Sequence, residues 1–143
     1  MNISKETKVV RVMNAQAAGA SALQSASVDM QGFDAVQFVV LAGTVASAEA
    51  GAISIAQSDD DTTFATLAGT GLDVGAADGN KMFVSDIERP TGRYLRCEIS
   101  RGTCQVAVDG VIAILYKGRT KPADVDATVA AAEHHVSPEE GAA

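Results

Sequence analysis

Short stretches of alternating or continuous apolar character, broken by Gly, Asp, Asn and Ser every 8 to 15 residues, fill the first 118 positions of the chain. A side-chain period of two is the mark of a strand with one face buried, and turn formers at that spacing mark strand ends. The pattern predicts strands over 7–13, 26–30, 35–42, 52–57, 63–67, 81–87, 93–100 and 104–116. Strands this short and this regular predict an all-β fold, a single β-sandwich or jelly-roll domain over 1–119. The full length of 143 residues is that of one domain with one core.

Two strands are apolar on both faces. "FVVLA" is one; "VIAILY" after Asp109 and Gly110 is the other, and the change of pattern at Gly110 predicts a β-bulge. A two-faced apolar strand must be covered twice, by the second sheet and by a terminal segment or another subunit. The expectation is a homo-oligomer, dimer or trimer. Cys97 and Cys104 flank "EISRGT", which reads as a hairpin with Arg101 and Gly102 at its tip. That register makes the thiols diagonal neighbours, so buried free thiols are favoured over a disulfide.

Residues 122–143 hold five acids and no base, against 13 acids and 11 bases before them. Pro122 ends the β pattern. Asp124 then reads as the N-cap of a short helix whose apolar stripe is Val125, Val129 and Ala132, followed by a loose "SPEEGAA" tail. An acidic arm over 120–143 suits a basic groove on a neighbour, with Asp124, Asp126, Val125 and Val129 as its contact residues. Two further segments, 14–25 and 68–81, are long, rich in small residues and suited to contact with a neighbour. Arg89, Arg93 and Arg96 concentrate near one strand start, and an interface or an ion-pair cluster with Asp86 and Glu88 is expected there.

The chemistry-bearing motifs are thin. "GTGLDVGAADG" lacks the Lys-Ser/Thr ending and the strand-to-helix setting of a phosphate loop. "SDDDTTF" lacks calcium-loop spacing and reads as a tight turn. His134 and His135 lie in the acidic tail, far from any prepared nucleophile, and neither CxxC nor GxSxG spacing occurs. No catalytic residue, metal site or cofactor is expected. A body near neutrality with an acidic tail disfavours nucleic acid. No signal peptide is recognised at the start, and no apolar run approaches the ~20 residues that cross a bilayer, so a cytoplasmic origin without membrane contact is expected.

Taken together, "VDMQGFDAVQFVVLAGTV", "IAQSDDDTTFATLAGT", "VSDIERPTGRYLRCEISRG" and the closing "VDGVIAILYKGRTKP" resemble a small structural protein encoded among tailed-bacteriophage head genes, similar to head decoration or cement proteins. The likeness covers about residues 5–140, with the Pro-x-x-Arg-Tyr run at 90–94 and "SPEEG" its most specific elements. It implies a cofactor-free virion protein, assembled in the host cytoplasm, that binds the major capsid protein on the capsid exterior and stabilises the head. A neck, tail or fibre-associated β protein is the alternative within the virion. A carbohydrate- or receptor-binding module is another, disfavoured by an aromatic content of 4% and the lack of any Trp.

Overall fold

The computed structural model describes residues 1–47 and 51–142. After a single helical turn, α1 (Ile3–Glu6), the chain forms β1 (Lys8–Met13), β2 (Leu23–Gln24), β3 (Val28–Asp29), β4 (Phe33–Ala42), β5 (Gly51–Ser58), β6 (Ala65–Thr66), β7 (Leu72–Val74), β8 (Met82–Glu88), β9 (Tyr94–Ser100) and β10 (Val108–Gly118). They make two antiparallel sheets. One is four-stranded in the order β1-β10-β4-β8. The other is built on β9 and β5, with β2 and β3 along the outer side of β9 and β6 and β7 along β5. This is the all-β sandwich that the alternating pattern predicts.

The inner faces meet in one core. Val36, Phe38, Val40, Val111, Ala113 and Leu115 line up across β4 and β10, and Ile53, Ile55, Leu95, Cys97 and Ile99 come from β5 and β9; each is 2% exposed or less. Truncating a side chain so enclosed, such as Phe38 to Ala, removes about 3–5 kcal/mol. The bulge expected at Gly110 is present, because the β10–β4 register shifts between Val108 and Gly110. It keeps Val108 in the core while turning Asp109 out.

Three expectations are corrected. The segment 93–116 is no hairpin. β9 pairs with β5, β10 pairs with β1 and β4, and the chain between them passes from one sheet to the other through a 3₁₀ turn at Gly102–Cys104. Gly102 still supplies a positive φ of 46°, but in that crossing turn. Local alternation fixes which face a residue takes and leaves open which strand lies beside it, so a turn signal between two strands does not establish that they pair. Both thiols are free and buried, as expected.

Second, the segment 68–81, for which the pattern predicts no strand before 81, contains β7 and a 3₁₀ turn at Ala76–Asp78 closed by the Asp78 carboxylate, which accepts the Gly75 N–H at 2.8 Å. Third, no helix forms between 120 and 142. The Asp126 carboxylate accepts both the N–H and the hydroxyl of Thr128 (3.0 and 2.8 Å), and the Val129 N–H donates to the Asp126 carbonyl. Such local side-chain bonding competes with the helix, and the neighbouring β-branched Val125, Thr128 and Val129 tilt the balance further.

Candidate functional site

The arginines expected to share one cluster separate because β8 and β9 belong to different sheets. Asp86 and Glu88 lie on the outer face of the four-stranded sheet, where the Tyr116 hydroxyl donates to Asp86 at 2.6 Å and Lys117 pairs with Glu88. The Asp86 carboxylate, assisted by burial, pushes the Tyr116 hydroxyl up to about 12. Arg93 instead forms a two-pronged pair with Asp29, Nε to Oδ1 at 2.9 Å and Nη2 to Oδ2 at 2.8 Å, and also donates to Gln31. The pair holds the Asp29 carboxyl below its usual range. Arg96 lies on the outer face of the second sheet, donating twice to Glu98 with its guanidinium 3.9 Å above the Phe64 ring. Arg89 carries a left-handed backbone (φ 53°), and its guanidinium makes no hydrogen bond or ion pair among the described residues.

Arg89 and Arg93 still share a site. With Arg119, which pairs with Asp34 at 2.9 Å, they rim a polar cleft of about 510 Å³ that also contains Asp59, Thr91 and Gly92. Arg93 and Arg119 are each matched by a carboxylate and Asp59 adds a negative charge, so Arg89 is too little for tight anion binding. The three-Asp run is a turn: Asp60 accepts the N–H groups of Thr62 and Thr63 at 3.0 and 2.9 Å and the Ser58 hydroxyl at 2.8 Å. Those backbone donors hold its carboxyl far below the usual range. Among the described residues no three His, Cys, Asp or Glu side chains stand together as a metal site, and no helix is long and apolar enough to cross a membrane.

The arm lies along the start of its own chain. Asp126 pairs with Lys8 at 3.5 Å, Lys121 pairs with Glu6 at 3.0 Å, the Ala123 N–H donates to the Lys5 carbonyl, and the Arg11 N–H donates to the Thr128 hydroxyl. These bonds blunt β1, an edge strand that otherwise presents open donors. Val125 and Val129, with Ile3, Val9 and Ala132, line a cleft of about 460 Å³ between arm and strand. Asp124 is exposed and caps nothing. Of the expected arm residues, Asp126, Val125 and Val129 therefore converge on one place while Asp124 stands apart.

Arg101, expected at the tip of a hairpin, is instead a buried anchor. It is 5% exposed, and its guanidinium donates to the carbonyls of Ser21 (2.7 Å), Ala17 (2.7 Å) and Val106 (3.2 Å). It ties the 14–25 segment to the sandwich. Nothing local signals this, since a charged residue beside Gly in a polar stretch reads as exposed.

The class defined by these features is an all-β, two-sheet sandwich whose grooves are open and many of whose ionisable groups are engaged in turns and ion pairs. No protein-family model and no curated protein matches the chain. Among solved structures it is similar to the PBSX exported protein XepA, with 16% identity and a TM-score of 0.55 over 95% of this chain and 45% of that one. The chain thus spans under half the length of XepA. Weaker likenesses include a protein from the disulfide-linked pili of Bacillus endospore appendages (12% identity, TM-score 0.48, 78% of this chain and 88% of that one) and the tobacco streak virus coat protein (8%, 0.43, 84% and 91%). At these identities what is shared with XepA is the fold.

Proposed function

We propose that the chain is a non-enzymatic structural protein of a tailed-phage virion that binds the outer capsid surface and stabilises the head. The observation that carries the reading is the surface itself. The outer face of the four-stranded sheet leaves Leu41, Met82 and Val84 exposed side by side, while many of the polar groups are tied up in structural bonds, which suits assembly better than catalysis. The XepA-like fold supports a phage setting, and the sequence phrases that resemble head decoration proteins support the head as the place. Decoration works through many copies, so a modest contact free energy per copy becomes large over a shell. Recognition of sugar through an aromatic platform is disfavoured, because Tyr94 and Phe64 each lie under an arginine, at 5.2 and 3.9 Å.

The test is electron microscopy of purified virions of the encoding phage, labelled with an antibody to this chain. Label over the whole head supports decoration of the major capsid protein. Label confined to neck, tail or fibres moves the protein to that part of the virion, and unlabelled particles remove the virion reading.

A further inference from the structure

We propose that two copies of this chain join edge to edge through β8, antiparallel and about a two-fold axis normal to the sheet, so that their four-stranded sheets run on as one. The margins of the sandwich differ in how they are closed. On the second sheet they are broken into β2, β3, β6 and β7, of two or three residues each. On the first sheet the arm flanks β1, where the Thr128 hydroxyl takes the Arg11 N–H. β8 has neither protection. It runs seven residues against β4 without a register shift and contains no Pro, Gly or Lys. A long, regular, uncovered edge is a template for another strand, which is why folds ordinarily blunt such edges.

Hydrogen-bond parity tells which groups stand open. The Arg89 N–H donates to the Asp34 carbonyl and the Ala42 N–H to the Lys81 carbonyl, so the odd-numbered residues of β8 turn their backbone groups to β4. The N–H and C=O groups of Met82, Val84, Asp86 and Glu88 point the other way, and among the described residues no hydrogen bond reaches them. Side chains follow the same parity. Those four face outward, while Phe83, Ser85 and Ile87 face the core, where Phe83 and Ile87 are only half-buried. The open flank of β8 is therefore also an uncovered margin of the core.

The sequence of β8 makes a second copy the occupant. Antiparallel self-pairing with like faces together allows registers centred on Val84, Ser85 or Asp86. Centring on Asp86 sets the two Asp86 carboxylates opposite each other, which opposes association. Centring on Val84 lays Phe83 against Ser85 and Ile87 against Lys81, so the core row is mismatched. Centring on Ser85 lays Phe83 of each copy against Ile87 of the other, twice, and on the outer face sets Val84 against Asp86 and Met82 against Glu88. No acid then stands opposite an acid, and Tyr116 and Lys117 already draw both carboxylates toward β10. All the outward backbone groups find partners, in about eight ladder bonds. A foreign strand would have to supply this alternation; a second copy brings it by symmetry. Backbone bonds of small net worth set against the cost of association make the dimer weak and concentration-dependent. The inference does not rest on the virion reading, because it is tested on the purified chain.

Sedimentation equilibrium of the full chain, from about 1 to 500 µM, is expected to fit a monomer–dimer scheme. V84P removes an N–H that faces the open edge and should leave a monomer with its strand circular dichroism intact. V84E and V84K test the register without touching the backbone. Opposite Asp86 of the other copy, the glutamate should weaken the dimer about fivefold and the lysine should hold or tighten it. Under oxidised glutathione, S85C should cross-link ahead of V84C and D86C, which meet their own counterparts only in the two rejected registers; Cys97 and Cys104 are buried and stay out of the reaction. A monomer at every concentration overturns the proposal. So does a dimer indifferent to V84P and V84E, which would place association elsewhere on the chain. Equal weakening by V84E and V84K, or cross-linking led by V84C or D86C, overturns the register centred on Ser85.

Discussion

Replacing Arg101 with Met tests whether one buried guanidinium organises the segment between β1 and β2. The side chain spends its donors on three carbonyls, and hydrogen bonds from a charged group are each worth about 1.5–3 kcal/mol. The terms do not simply add. Ala17 and Ser21 are exposed, so their carbonyls regain water when the guanidinium is gone, and removing a buried charge returns part of its desolvation cost. The Val106 carbonyl belongs to a residue 2% exposed and is left unpaired there, a penalty of about 1–3 kcal/mol. Adding the lost anchoring of 14–25 gives a net loss of about 2–4 kcal/mol, or a melting point lower by roughly 8–15 °C for a chain of this length. Calorimetry and urea titration measure the loss, and limited proteolysis should find new cleavage within 14–25. Arg101→Lys, with one point charge in place of a fork, should recover about half. Melting within about 2 °C of the parent, with 14–25 still protected, would refute the role assigned to Arg101.

Acid should destabilise the fold in a defined window. Asp29, Asp60 and Asp126 have folded carboxyls held below their unfolded values, so their contribution is complete above the unfolded range and is lost as pH falls below about 4; a melting point flat from pH 7 to 3 contradicts this. Burial pushes the Cys97 thiol up to about 12, so a maleimide should label it at neutral pH only after denaturation, and labelling of the native chain within minutes would show that the core opens there. Deleting residues 120–143 removes the Lys8–Asp126 and Lys121–Glu6 pairs and uncovers β1, and the remaining sandwich should melt only a few degrees lower, by a margin that shrinks in high salt. Collapse of the truncated chain would instead make the arm part of the core.

Period-two alternation by itself determined β1, β4, β5, β8 and β9 to within a few residues, because that signal is carried by adjacent side chains and needs no knowledge of partners. The bulge before "VIAILY" was legible for the same reason: Asp109 and Gly110 interrupt a two-residue rhythm that can be read along one strand. Pairing is another matter. That β9 and β10 lie in different sheets depends on β5 and β4 outcompeting them as partners for one another, a choice made between segments far apart in sequence. The separation of Arg96 from Asp86 and Glu88 has the same kind of cause, since β8 and β9 also belong to different sheets. Burial of Arg101 is decided the same way, by three carbonyls brought to it from loops on either side. In the arm, composition favoured a helix, and the Asp126 side chain together with contacts to β1 overruled it. Sequence thus determined which residues face inward along a strand, while the tertiary structure alone decided what each outward residue meets, because that neighbour comes from elsewhere in the chain.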